Sequence, residues 1–146
     1  MAITQAIANA FKKQLLEGDQ NFKSSGGDKF KLALYTSSAT LNSATTAYAS
    51  TNEVANTGTY AAGGDPLAGQ NTSIASGVAI VDFANLSFTG VTLTARGALI
   101  YNTSSAVSNA AVCALDFGAD KTATSGTFTI QFPAFTTAAA ILRISG

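Results

Sequence analysis

The chain has 146 residues, with eight Lys or Arg against eight Asp or Glu and no histidine. That is the length of one domain, and the absence of a basic excess argues against a phosphate-binding nucleic-acid surface or a membrane-surface patch. Hydrophobic residues make up 47%, too many for a disordered tail, and the missing histidine removes the usual zinc ligand sets and Ser-His-Asp chemistry.

Residues 3–17 (ITQAIANAFKKQLLE) are the first expected element, a helix. Ile3, Ile7, Ala10, Phe11, Gln14 and Leu15 recur at three- and four-residue spacing, and Leu16 widens the stripe. Lys12 and Lys13 suit the negative end of the helix dipole, and Gly18 is a natural stop. Such a helix either packs on its own sheet or serves as an N-terminal arm, residues 1–18, that docks on a neighbouring subunit. Residues 19–28 are a polar loop. Residues 29–36 (KFKLALYT) alternate as a strand, with Phe30, Leu32 and Leu34 on one face and Lys29, Lys31, Ala33 and Tyr35 on the other. The two lysines point to a half-solvated face or an edge.

Residues 37–70 are the least regular part, dense in Ser, Thr, Ala, Asn and Gly. A structureless loop of that length is uncommon in a compact domain, so short strands or a functional extension are expected there, anchored by Val54, Tyr60 and Leu67. Residues 77–83 form a strand, and residues 85–90 a short extended piece. The centre of the domain is a hairpin over residues 89–117. Its first strand puts Val91, Leu93, Ala95, Gly97, Leu99 and Tyr101 on one face, and its second puts Ala111, Cys113, Leu115 and Phe117 on one face. Residues 102–109 (NTSSAVSN) make the loop between them. Residues 118–126 are expected to be a polar connection, 127–132 (TFTIQF) a strand stopped by Pro133, and 138–144 a last strand. The pattern implies an all-β fold: a β-sandwich or jelly-roll-like domain over residues 19–146, with one N-terminal helix and the long loop 37–70.

Chemistry has few footholds. Cys113 sits in an apolar run without an activating base, which marks it as a small core residue. Asp116 and Asp120 flank a turn-like segment beside Lys121 and read as turn caps or ion-pair partners. Asp82, Asp116 and Asp120 lack the spacing of a calcium loop. Gly63, Gly64 and Asp65 lack the following Lys and the strand–loop–helix context of a phosphate cradle. Arg96 is the one charge inside an apolar strand and needs a partner, with Asp82 or Asp116 as candidates. Tyr35, Tyr48, Tyr60 and Tyr101 would be the platform of a carbohydrate-binding sandwich, the reading of a different class. No catalytic residue, cofactor or metal site is expected. The N-terminus lacks a basic segment followed by an apolar core, and no apolar run approaches membrane-spanning length, so a cytoplasm, or a particle assembled in one, is the expected location.

Several segments together carry a family resemblance: AFKKQLLEG, GDKFKLALYTSSATLN, TNEV followed by TGTYAAGG, LTARGALIYN, and LDFGADKTATSGTFTIQFP. In this order, over nearly the whole chain, they resemble small virion proteins of tailed bacteriophages. Here the loop reads GTYAAGG, with Thr59 between Gly58 and Tyr60, a small departure from the family pattern. The resemblance implies a cement (decoration) protein on the major capsid lattice, a homotrimer or other homo-oligomer, located in the virion after assembly in the host cytoplasm. The alternative within the same class is a tail, neck or head-fibre component. No nucleic acid or membrane partner is implied. The expected subunit or lattice contacts are Ile3, Ile7, Phe11 and Leu15 from the arm, and Val54, Tyr60 and Leu67 from the loop.

Overall fold

The computed structural model describes residues 2–146. The fold is all-β with one short helix, and its strands form two antiparallel sheets. In chain order the elements are β1 (Ala6–Ile7), α1 (Asn9–Glu17), β2 (Phe30–Tyr35), β3 (Asp65–Pro66), β4 (Asn71–Ala75), β5 (Val78–Asp82), β6 (Leu86–Asn102), β7 (Ala110–Ile130) and β8 (Leu142–Ile144). The larger sheet has the order β1-β7-β6-β2-β3, and the smaller has the order β4-β5-β8.

The β6–β7 hairpin is the frame. Its inner half, Gly97–Asn102 against Ala110–Leu115, is buried on both faces. Its outer half alternates: Val91, Leu93 and Ala95 are buried, whereas Thr92 and Thr94 are exposed. Burial therefore follows the alternation only where one face meets water. Register shifts at several points bend the pair, as bulges do.

Residues 118–126 belong to β7 and are not a connection. They pair with β6 through Val91↔Gly126, Leu93↔Ala123, Thr94↔Thr122 and Ala95↔Lys121. The threonines supply cross-strand contacts, with Thr94 Oγ1 2.9 Å from Thr122 Oγ1 and the Ser125 N–H donating to Thr92 Oγ1 at 2.9 Å. Similarly, residues 86–90 are the start of β6, and the last strand is confined to Leu142–Ile144.

The expected helix over residues 3–17 starts only at Asn9. Before it, Ile3 bridges Leu41, and Ala6 and Ile7 pair with Ala114 and Cys113 of β7. Branched Ile3 and Ile7 suit extended backbone better than a helix. Gly18 closes the helix as expected, its N–H reaching Leu15 O while the Asp19 N–H reaches Gln14 O. Met1, where the expected arm begins, lies outside the described residues. Residues 2–18 are not a separate arm, because Ile3, Ala8 and Phe11 are part of the same core as the sheets.

The strand over residues 29–36 also departs from its expected half-solvated face. Ala33 and Tyr35 are buried along with Leu32 and Leu34, because residues 47–63 cover that side.

The two sheets are tied by a chain of phenyl rings. Phe22 stacks on Phe30 at 4.4 Å between centroids, and Phe11 meets Phe22 edge-on at 5.8 Å. Phe83, just after β5, contacts Phe22 and Phe30, and Phe132, just after β7, contacts Phe83 at 5.8 Å. Phe22 comes from the loop that reads as polar, yet it is 7% exposed.

Candidate functional site

The long irregular segment is where the fold concentrates its polar chemistry. Its first half runs against the N-terminus and the start of β7. Thr4 N donates to Leu41 O, Asn9 N to Ser43 O, and Ala111 N to Thr46 O, each at 2.8–3.0 Å. Its second half lies along β2, where Val54 N donates to Leu34 O at 2.9 Å and Glu53 bridges Tyr35. Few backbone groups are left to project as an arm.

Glu53 is the hub. Its Oε1 accepts from Tyr48 Oη at 2.6 Å. Its Oε2 accepts from Tyr60 Oη at 2.7 Å and from the Gly63 N–H at 2.6 Å. Tyr60 Oη in turn accepts from the Leu34 N–H at 2.8 Å, which ties the hub to the middle of β2. Tyr101 of β6 donates to Gly63 O at 2.6 Å and stacks on Tyr48 at 4.7 Å. Tyr35 donates to Ala49 O at 2.8 Å. The chain's four tyrosines thus surround one carboxylate.

Their phenols are held well above the ordinary value. Burial is the main cause in each case, and the nearby Glu53 carboxylate adds to it. Tyr101 is pushed up to about 12. The phenols are held in their neutral, donating form, and three donors converge on the carboxylate. Such a cluster holds the loop backbone at Gly63 and ties it to β2 at Leu34.

Gly64 completes the turn. It lies at φ 74°, and a Cβ there would land on the Leu32 carbonyl. Only glycine allows the loop to pass this close to β2. Gly63 and Gly64, weighed above as a phosphate cradle, are buried and bonded within the chain.

Arg96 pairs with Asp116 across the hairpin, Nε to Oδ1 at 3.0 Å. Asp82 is not its partner; it lies on β5 of the other sheet, in register with Asn71. The Asp116 carboxyl is held below its usual range, first by the Gly118 N–H at 2.9 Å and then by Arg96. Asp116 therefore caps a local turn and pairs at once, and Asp120 is exposed. Beside this pair an open cleft of about 510 Å³ runs along β7, lined in part by Gln5, Lys121, Phe117, Phe128 and Phe132. Among the described residues no three His, Cys, Asp or Glu side chains come together as a metal set. Cys113 is buried, and burial pushes its thiol up to about 12.

The seven expected contact residues divide by burial. Ile3, Phe11, Val54, Tyr60 and Leu67 lie in the chain's own core. Ile7 and Leu15 are partly buried against it. As they stand they hold the fold together and do not form a free surface. Tyr35, Tyr60 and Tyr101 are buried and Tyr48 is stacked on Tyr101, so a sugar-binding platform has no exposed rings here.

A second buried network joins the helix end to the hairpin loop. Asn102, fully buried, donates to Gln20 Oε1 at 2.8 Å and to Asp28 Oδ2 at 2.7 Å. Gln20 donates on to Gln14 Oε1 at 2.8 Å. No periodicity or spacing in the sequence singles out Glu53 or Asn102, although both fall within the resembling segments TNEV and LTARGALIYN.

Comparison with protein-family models, curated proteins and solved structures finds no match to this chain.

Proposed function

We propose that this chain is a structural virion protein of a tailed phage, a cement protein that binds the major capsid lattice and stabilises the head. The observation that carries the reading is the order of the resembling segments over nearly the whole sequence. Its physical support is the character of the surface-forming parts. The long segment is pinned by the Glu53 hub, so it would meet a lattice already ordered, with little entropy left to lose. Low charge and zero net charge suit a protein whose surface is shared with neighbours. Modest contacts repeated over a shell add up through avidity. In this reading the two sheets are the layers of a jelly-roll-like sandwich, and the lattice contacts come from exposed loop positions such as Thr51, Asn56 and Ala61, not from the buried anchors.

Electron cryo-microscopy of the intact particle tests this through copy number. A symmetric array over the shell is expected. A single ring at the portal or along the tail would move the protein to the neck or tail, and absence from the particle would end the virion reading.

A further inference from the structure

The sheet edges are treated unequally. The larger sheet ends on β1 and β3, each of two residues, and β3 contains Pro66. Short edges and proline are the usual protections against strand addition. The smaller sheet ends on β8, three residues with Arg143, and on β4, five residues with neither charge nor proline. All five residues of β4 are exposed, and the whole stretch 66–81 is uncharged. β4 pairs with β5 on one side and with no strand on the other, where the Thr72 N–H is held by the Asn71 side chain at 2.9 Å, a local bond that an incoming strand could replace.

The face beside that edge is apolar. Register places Ile74 opposite Ala79 and Ala79 opposite Ile144, so the three share one face across the sheet. Ile74 is 72% exposed and Ile144 is 59% exposed.

We propose that β4 pairs antiparallel with β4 of a second copy of this chain, making one six-stranded sheet across a two-fold axis. Two-fold pairing sets residue i of the strand against residue j of the copy and j against i, so a charge anywhere on so short a strand would lie near its own like-charged counterpart. An uncharged strand meets that condition, and a charged partner would find nothing here to match. The axis runs normal to the sheet, which carries the Ile144–Ala79–Ile74 row into the same row of the copy. The proposal is independent of the virion reading.

The test is sedimentation velocity on the full chain across a concentration series, with Ile74→Lys and Ser73→Glu as variants. They place a charge on opposite faces of β4, at positions that are exposed in the single chain. The expected result is a dimer for the parent and at least about tenfold weaker association for both variants, with unchanged far-ultraviolet circular dichroism and melting. Hydrogen exchange at the β4 amides should be slower in the dimer than in either variant. A monomeric parent, a higher oligomer indifferent to both changes, or β4 amides equally labile in parent and variants would each overturn the proposal. Should one variant fail to fold, the other and the exchange measurement still decide.

Discussion

At Glu53 a single carboxylate accepts three hydrogen bonds, all from Tyr48, Tyr60 and Gly63 of the long segment. Removing it leaves several donors with no replacement in a covered site. Glu53→Ala should therefore cost about 3 kcal/mol, read as a fall in melting temperature of about 6–12 °C. Tyr60→Phe removes one arm and should cost roughly half as much. A change within error for both would mean that the hub is incidental. Gly64→Ala should be worse than either, because the added methyl collides with backbone at Leu32 and the residue sits in left-handed geometry. The tyrosines also set the alkaline limit. In the unfolded chain a phenol ionises near 10, whereas the folded protein holds Tyr101 protonated to about 12 and the other three above their ordinary value. The unfolded state alone gains by losing protons in that window. Stability is thus fully present below roughly pH 10 and falls as pH climbs toward 12. Absorbance at 295 nm should stay flat until the protein unfolds and then rise for all four phenols together. Independent titration of the four near pH 10 in folded protein would contradict the cluster.

Among the elements, the N-terminal segment changes the most between sequence and structure. Ile3, Ile7, Phe11 and Leu15 have helical spacing, but the same Ile residues serve as strand and bridge positions on β7 and Leu41. A four-residue interval is also an even interval, so it keeps one face of a strand as well as one face of a helix. Deleting residues 1–18 should therefore do more than trim a docking arm. It uncovers Cys113 at the β7 edge and removes Phe11 from the ring chain. Rapid reaction of Cys113 with a thiol reagent and a lower melting point are expected; a deletion chain as stable as the parent, with Cys113 protected, would refute this. The hairpin was legible in outline because Val91–Ala95 alternate against Thr92 and Thr94. Residues 118–126 were not, because most of their side chains face water and no apolar period marks them. Strand β4 is hidden in the sequence for the same reason, and only Ser76-Gly77, both at positive φ, mark it as half of a hairpin with a two-residue turn. The Arg96–Asp116 pair was readable because a lone charge in an apolar strand demands a partner. Glu53 was not, since Tyr48, Tyr60 and Gly63, although near it in the chain, lie in an irregular segment with no period to show that their groups converge.

At the scale of the molecule, Phe83 holds the smaller sheet to the larger one through Phe22, Phe30 and Phe132. It is 2% exposed, and Phe83→Ala should cost about 3–5 kcal/mol. Amides of β5 and β8 should then exchange faster than those of the β6–β7 inner half, because the sheet has lost its main tie. Uniform acceleration everywhere would instead mean that the two sheets open as one unit.

The pairing of β1 with β7 sets an order on how the protein is made. Ala6 and Ile7 leave the ribosome early, but Cys113 and Ala114 follow about a hundred residues later, on the order of 10 s at ordinary synthesis rates. During that wait Ile7 lacks its partner strand, whereas the partners of Ile3 and Phe11, Leu41 and Phe22, are already made. The hairpin, whose strands are joined by only a short loop, closes within itself first, and the N-terminus docks onto a finished edge. The newborn chain therefore passes through a stage when its first residues are sticky and its last are not yet present, and a chaperone that recognises short apolar segments would meet it there.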